Sequence, residues 1–338
     1  ALLTGKHIGH AVVRGNSELM PEGQQPMPAN TVTMAHMFRK AGYTTGLFGK
    51  WGLGAPGSVS EPLKMGFDRF YGYNCQRQAH HYYPYFLWND NHREMLWGNF
   101  GTETQEYAPD LIQDQAIKFI EANKDQPFFC FYALVQPHAE MFAPEEKMAK
   151  YRGKFLPERS YEGTDSGPNY RKFAYGSQPE AHAAFAAMVE VIDDDVGELV
   201  ATLRELGITN NTLIIFTSDN GPVWYQRDRL KHNHSSASNY SGMKGDFWEG
   251  GHRVPFVVRW PSVVRPKKVS ESMICFTDFM ATFAEIVGDK FPEAATTDSR
   301  SFLPILKGDL AYQVRDTMIL NAKGRSVAYR HRNWKLIT

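Results

Sequence analysis

The sequence predicts an α/β protein: a doubly wound, mostly parallel sheet with helices on both faces, followed by the start of a small antiparallel sheet at the C-terminus. Three observations predict it. Helical stripes alternate with short apolar runs, as successive βαβ units require. One run, Pro127 to Val135 (PFFCFYALV), is apolar almost without interruption, which is the pattern of a strand covered on both faces. After Thr317, the segments TMILN and SVAYRHRNWKLIT alternate apolar and polar residues, the period of an antiparallel hairpin with one wet face.

Taken in order, residues 31 to 42 read as a helix. Thr31 or Thr33 can cap it, Met34, Met37, Phe38 and Ala41 form its apolar stripe, and Gly42 ends it. A strand follows from Thr44 to Phe48. Residues 109 to 124 form a second helix, opened by Pro109, with Ile112, Ala116, Phe119 and Ile120 on one side, and the apolar run at 127 follows it. The longest helix spans about Glu180 to Gly207, with Phe185, Met188, Ile192, Val196, Leu199 and Leu203 at spacings of three and four and an acidic opposite face. Strands at Leu213 to Thr217 and Val254 to Arg259 complete the core. Residues 54 to 108 and 139 to 178 fit no element and read as long loops that shape a substrate mouth. A catalytic domain over 1 to 310 and an antiparallel subdomain beginning at 311 to 338 are the expected division.

At 338 residues there is chain enough for one large domain. Lysine plus arginine equals aspartate plus glutamate at 37 each, so the balance points to no nucleic-acid or membrane partner. No apolar run is long enough to span a bilayer. Cys75, Cys130 and Cys275 are odd in number and far apart, which argues against a disulfide framework or zinc cluster. Asn210, Asn233 and Asn239 head Asn-x-Ser/Thr triplets, at a frequency that chance explains.

In a doubly wound sheet, ligands sit beyond the carboxyl ends of the strands, so the residues there carry the functional information. Leu213 to Gly221 (LIIFTSDNG) ends in Asp219 and Asn220, two hard oxygen donors suited to Ca²⁺ or Mg²⁺ but short of a full shell. Asp-Asn-Gly is equally ordinary turn chemistry. Gly49-Lys50-Trp51-Gly52-Leu53-Gly54 lets backbone approach a ligand while Lys50 offers a point charge to an oxyanion. Gln136-Pro137-His138 closes the buried strand with an imidazole placed to donate a proton. Lys244 lies in the glycine-flanked block GMKGDFWEGGHRVP, Gly242 to Pro255. Each alone reads as a turn, a structural histidine or a solvated lysine. Together they put a metal-type pair, two cations and a histidine at strand ends, which suits an anionic ester.

The order and wording of these segments resemble the sulfatase family of the alkaline phosphatase superfamily across essentially the whole chain. Ala1 to Lys6 (ALLTGK) resembles the tail of that family's Cys/Ser-x-Pro-x-Arg-x-x-x-Leu-Thr-Gly signature, and GKWGLG, QPH, SDNG and GMKG…EGGHRVP follow in order. The resemblance implies an alkaline phosphatase-like fold and hydrolysis of sulfate monoesters of a sulfated sugar or aryl substrate. It assigns Asp219 and Asn220 to one divalent cation, Ca²⁺ with Mg²⁺ as the alternative. Lys50 and Lys244 would hold the sulfate oxygens, and His138 would protonate the departing alcohol. The family's nucleophile, a formylglycine made from Cys or Ser by a maturation enzyme, would lie upstream of Ala1 together with further metal ligands, so the chain by itself is expected to be inactive. None of the three cysteines stands in the required context.

One departure lies within the chain, where many sulfatases read Gly-Lys-Trp-His-Leu-Gly and this chain has Gly52. His7 or His10, beside the signature, would be the alternative base. Asn220 favours sulfate over the phosphodiesterases and phosphonate hydrolases of the superfamily, which more often have histidine there for a second metal. The alternatives are such a phosphoester or phosphonate hydrolase, or a non-catalytic binder of sulfated glycans using the lysines and the aromatic stretch Tyr71 to Trp88. Family habit implies a periplasmic, secreted or lysosomal setting.

Overall fold

A computed structural model describes residues 1 to 338 except Pro21, Phe173, Trp224, 290–296 and 323–326. The chain divides into two compact units: Gly15–Gly207, and Ala1–Arg14 with Ile208–Thr338.

The first unit carries α1 (Met34–Lys40), β1 (Thr44–Lys50), β2 (Arg69–Tyr73), β3 (Phe86–Asn89), β4 (His92–Met95), α2 (Ala108–Ala122), β5 (Phe128–Ala133), α3 (Glu145–Tyr151) and α4 (Ala181–Glu205). Thr33 caps α1 in a reciprocal box with His36, and Gly42 follows the helix at φ +85°, as the sequence predicts. The sheet order is β4-β3-β2-β1-β5. β1 is parallel to both β2 and β5, whereas β3 and β4 add an antiparallel hairpin. The core lies on this sheet, with Leu47, Phe48, Phe67, Phe70, Tyr71, Tyr73 and Tyr82 all below 2 % exposed.

Four sequence expectations change here. Residues 54–108 are not a loop throughout, because β2, β3 and β4 fall within them. The buried Tyr71, Tyr73 and Tyr82 make much of the aromatic stretch core rather than mouth. β5 is half-buried along its whole length, since in this unit it pairs only with β1 and ends the sheet. On α4, Met188 and Leu203 are buried as expected, but Asp195 from the supposed acidic outer face is buried with them.

The second unit carries β6 (Ile214–Thr217), α5 (Gln226–His232), α6 (Glu249–His252), β7 (Phe256–Arg259), α7 (Asp278–Val287), α8 (Leu303–Leu306), β8 (Thr317–Asn321), β9 (Val327–His331) and β10 (Trp334–Ile337). β6 pairs antiparallel with β7. An apolar run has no direction in its sequence, so periodicity located both strands without fixing how they pair. The C-terminal residues form an antiparallel sheet in the order β10-β9-β8, as the alternation predicts; residues 323–326, Ser326 of the predicted hairpin among them, lie outside the described residues. Arg315 holds the fully buried Asp278 at the start of α7, and Phe256, Phe279 and Phe302 pack edge to face against one another. Among the described residues, no helix is long and apolar enough to cross a membrane.

Candidate active site

In the unit Gly15–Gly207, parallel register brings the ends of β1, β2 and β5 level. Gly49 stands opposite both Gly72 and Ala133, and Lys50 stands opposite Tyr73. Two glycines make this close approach possible. At Gly49 φ is +115° and a Cβ would lie 2.0 Å from the Ala133 carbonyl oxygen; at Gly72 φ is +146° and a Cβ would lie 2.0 Å from the Gly49 oxygen. The strand line continues past Lys50 through Trp51 N–H to Tyr73 O (2.9 Å) and Gly52 N–H to Asn74 O (3.1 Å). Lys50 is thereby carried on a rigid edge rather than on a solvated turn.

His138 follows β5 within five residues at the same carboxyl edge. Its backbone N–H donates to Val135 O (3.1 Å), and the buried Tyr82 hydroxyl lies 2.8 Å from His138 O and 3.2 Å from Val135 O. The imidazole Nδ1 bonds the Ala139 carbonyl, which can only accept. Nδ1 therefore carries a proton, and proton exchange falls to Nε2. The His80 ring stacks on His138 at 4.7 Å and 3°, with the Tyr175 ring edge-on beyond it at 5.2 Å. Glu140, also buried, accepts from Gly176 N–H and lies 3.3 Å from the buried His81, while its own N–H donates to His80 O (3.2 Å).

Tyr82, His80 and Glu140 position His138 and were not found from sequence. They belong to stretches with no helical or strand period. The one available signal is the density of aromatic and histidine residues from His80 to Tyr85.

Gly52 is explained by its backbone. Its φ is +81°, and a Cβ would lie 3.1 Å from Gln24 Oε1, an oxygen already accepting from Gln76 N–H. The side chain of Gln24 is buried and its Nε2 has no hydrogen-bond partner; the same holds for Asn74 Oδ1 and Gln136 Nε2. Asn74 follows β2 and Gln136 follows β5, so unsatisfied buried polar atoms gather at the strand ends where a polar ligand would bind.

In the other unit, Asp219 is exposed and Asn220 half-buried after β6. Asn220 Nδ2 donates to Gly221 O (3.0 Å), which commits the nitrogen and leaves the amide oxygen as the donor atom a cation would take. With the Asp219 carboxylate, that gives two hard oxygen donors: they fit Ca²⁺ or Mg²⁺ in kind and fall short of six in number. The Gly242–Pro255 block is bonded straight onto this turn. Lys244 N–H donates to Pro222 O (2.9 Å), and Gly221 N–H donates to Gly251 O (2.9 Å). A Cβ on Gly221 would lie 1.8 Å from Gly250 O, so only glycine allows the two loops to meet. From the far side Glu249 anchors the block to the C-terminal sheet through Arg330 and Lys335 (2.6 Å). A cavity of about 500 Å³ opens beside Lys244, lined by Met243, Asp246, Phe247, Trp248 and Ala322. The structure thus joins Asp219, Asn220 and Lys244 in one cluster and Lys50 and His138 on one sheet edge.

None of the cysteines competes as a nucleophile. Burial pushes the Cys130 thiol up to about 12 and raises that of Cys275, and Cys75 is enclosed.

One unit thus carries lysine and histidine on a strand edge, and the other carries an oxygen-donor pair bonded to a lysine loop. The sulfatase family model matches residues 2–288, and the chain belongs to that family. It is 29% identical over 325 residues to an arylsulfatase of Hemicentrotus pulcherrimus, covering 90% of this chain and 52% of the relative. It is 26% identical to an N-acetylgalactosamine-6-O-sulfatase of Bacteroides thetaiotaomicron, covering 99% of this chain and 71% of the relative. Among solved structures it resembles a sulfatase from work on glycosaminoglycan metabolism by Bacteroides thetaiotaomicron, with a TM-score of 0.77 and 23% identity over all of this chain and 76% of that one. The chain spans about half the length of the first of these relatives.

Proposed function

We propose that the protein to which this chain belongs is a sulfuric ester hydrolase acting on a sulfated sugar or aryl alcohol, with a catalytic domain over 1–310 and a C-terminal subdomain beginning at 311. The observation that carries this reading is the direct bonding of the Lys244 loop to the Asp219-Asn220 turn, which couples an anion-binding cation to a metal-type pair. The names of the relatives, one of them a sulfatase of an amino sugar, support the substrate class.

In this reading Asp219 and Asn220 would contribute two of the ligands to a single Ca²⁺ or Mg²⁺, which supplies positive charge at the sulfate when bound. The nucleophile is a formylglycine on a Cys or Ser ahead of Ala1, made by a maturation enzyme. Lys50 and Lys244 bind the non-bridging sulfate oxygens and gain most where negative charge develops. His138, with its Nδ1 proton held on Ala139 O, acts as the imidazolium and gives the Nε2 proton to the departing alcohol oxygen as the sulfur–oxygen bond breaks, which leaves the neutral ring. Glycan sulfates as substrates and a periplasmic, secreted or lysosomal setting belong to the same proposal.

The test is release of inorganic sulfate from 4-nitrophenyl sulfate by the complete protein, compared with phosphate release from the phosphate analogue. Faster sulfate release that chelation abolishes and Ca²⁺ restores is expected, with Lys244→Ala and His138→Ala each lowering the rate by about 100-fold or more. Preference for the phosphate ester, or unchanged rates in both variants, contradicts the proposal.

A further inference from the structure

Three donors outside that site converge within Ala1–Arg14 and Ile208–Thr338. His7 Nε2 lies 3.2 Å from Asp298 Oδ1, and His10 Nδ1 lies 2.8 Å from Asp298 Oδ2 and 2.9 Å from Oδ1. One ligand atom from each of the three residues falls within 4.8 Å of the other two, the only such group of histidine, cysteine and acidic side chains among the described residues. The imidazoles stack at 4.3 Å, so they approach the carboxylate from one side.

The segments that carry these donors are both anchored on α7. Gly5, two residues before His7, is pressed so closely on α7 that a Cβ there would lie 2.8 Å from Met280 Cβ. Ser299, next to Asp298, accepts from Ala281 N–H in α7 at 2.8 Å. Arg315 donates to the Asp298 carbonyl oxygen (2.9 Å) while its charge is matched by the buried Asp278. His7 N–H adds a bond to Asp298 Oδ2 (2.9 Å). The Asp298 side chain is only 8 % exposed, whereas that of His10 is 54 % exposed, which leaves one open side.

We propose that His7, His10 and Asp298 form a binding site for a divalent transition-metal ion of the zinc type. The donor set decides the class. Two imidazole nitrogens and one carboxylate suit Zn²⁺ and its neighbours, whereas the oxygen pair Asp219 and Asn220 suits Ca²⁺. A tetrahedral ion with bonds of about 2.0–2.1 Å has ligands about 3.3 Å apart; the histidine–carboxylate separations are 2.8–3.2 Å and all three donors lie within 4.8 Å of one another, so side-chain adjustment alone reaches that spacing. Three protein ligands and an open side leave the fourth position to water.

Binding has two identifiable costs. The Asp298 carboxylate only accepts, so the His7 Nε2 and His10 Nδ1 hydrogens now pointing at it are given up, the His10 proton moving to Nε2. His7 Nδ1 now accepts from Gly9 N–H (3.0 Å), and coordination through Nε2 moves the ring proton to Nδ1 and gives up that bond. The bond is exposed, so water replaces it. The site ties the chain around His7 to the Asp298 loop over α7, and this holds whatever the substrate of the other site.

The experiment is calorimetric titration of the protein with ZnCl₂ and with CaCl₂, repeated on His10→Ala and Asp298→Asn, with Co²⁺ absorption as a geometric readout. One equivalent of Zn²⁺ is expected, with tetrahedral cobalt bands. Each variant should lose affinity by about 100-fold or more, since changes merely outside the coordination shell already cost 10–100-fold. CaCl₂ should neither compete nor be affected by the variants. His10 is exposed, so His10→Ala keeps the test valid if Asp298→Asn disturbs folding. Equal Zn²⁺ affinity and stoichiometry in His10→Ala, or no binding by millimolar Zn²⁺, overturns the proposal.

Discussion

Lys50 and His138 stand at the ends of parallel strands whose register is set along the whole of β1, whereas Asp219, Asn220 and Lys244 stand in loops joined by two backbone bonds, Lys244 N–H to Pro222 O and Gly221 N–H to Gly251 O. The first arrangement places side chains through many cooperating ladder bonds, with the buried Tyr82 holding the His138 backbone. The second depends on a few close approaches that only glycine permits. One family signature is therefore met by two physical devices, and substitutions distinguish them.

The largest effects should come where backbone meets backbone. Gly221→Ala, with its Cβ 1.8 Å from Gly250 O, must push the lysine loop off the Asp219-Asn220 turn. Gly49→Ala meets Ala133 O at 2.0 Å and also needs φ +115°. Each should cost about 3 kcal/mol, overpacking and backbone strain together, measured by urea denaturation. Gly49→Ala should act on the parallel sheet, Gly221→Ala on Ca²⁺ affinity as well as stability. A neutral Gly221→Ala would mean that the loops are not locked.

A smaller effect is expected from Tyr82→Phe, which removes the hydroxyl near the Val135 and His138 carbonyl oxygens. A loss of about 1–3 kcal/mol is the scale for buried acceptors left unsatisfied. The histidine should also lose its orientation, so sulfate release should fall while KM changes little. A rise in KM alone would show that Tyr82 supports the fold around substrate and not His138.

Smaller again is the effect of pH through Asp195. Burial, the nearby Asp110 and other carboxylates push its carboxyl up to about 7, and Asp110 itself is raised to about 6. Both folded values lie above the ordinary carboxylate value, so the stability they contribute is fully present below about pH 4 and is lost as pH rises toward 7. Asp195→Asn should flatten that slope and raise the melting temperature at pH 8 relative to the parent. An unchanged slope would mean that Asp195 is ionised in the folded protein.

How much of this was legible in sequence depends on what each signal encodes. α1, α2 and α4 could be read because caps, proline at a helix start and apolar spacing are local, and the structure reproduces each within a few residues. Asp195 could not, since a helical stripe is drawn from apolar residues and a buried acid looks like solvent-facing charge. β3 and β4 were missed because FLWN and HREM are too short to show a period; they turn at Asp90, whose φ of 54° is unmarked by glycine. Strand-end residues such as Lys50 and Asp219 were legible because an apolar run stops just before them. His80 and Glu140 touch the site through ring stacking and buried hydrogen bonds that leave no pattern along the chain.

Our proposal is that Lys50 and Lys244 bind the oxygens of one sulfate group. It is tested most directly by a double-mutant cycle in the complete protein, measuring sulfate release for Lys50→Ala, Lys244→Ala and both. If both lysines bind one developing charge, the double variant should lose much less than the product of the single losses, a coupling of about 1–3 kcal/mol. Losses that simply multiply would contradict the claim.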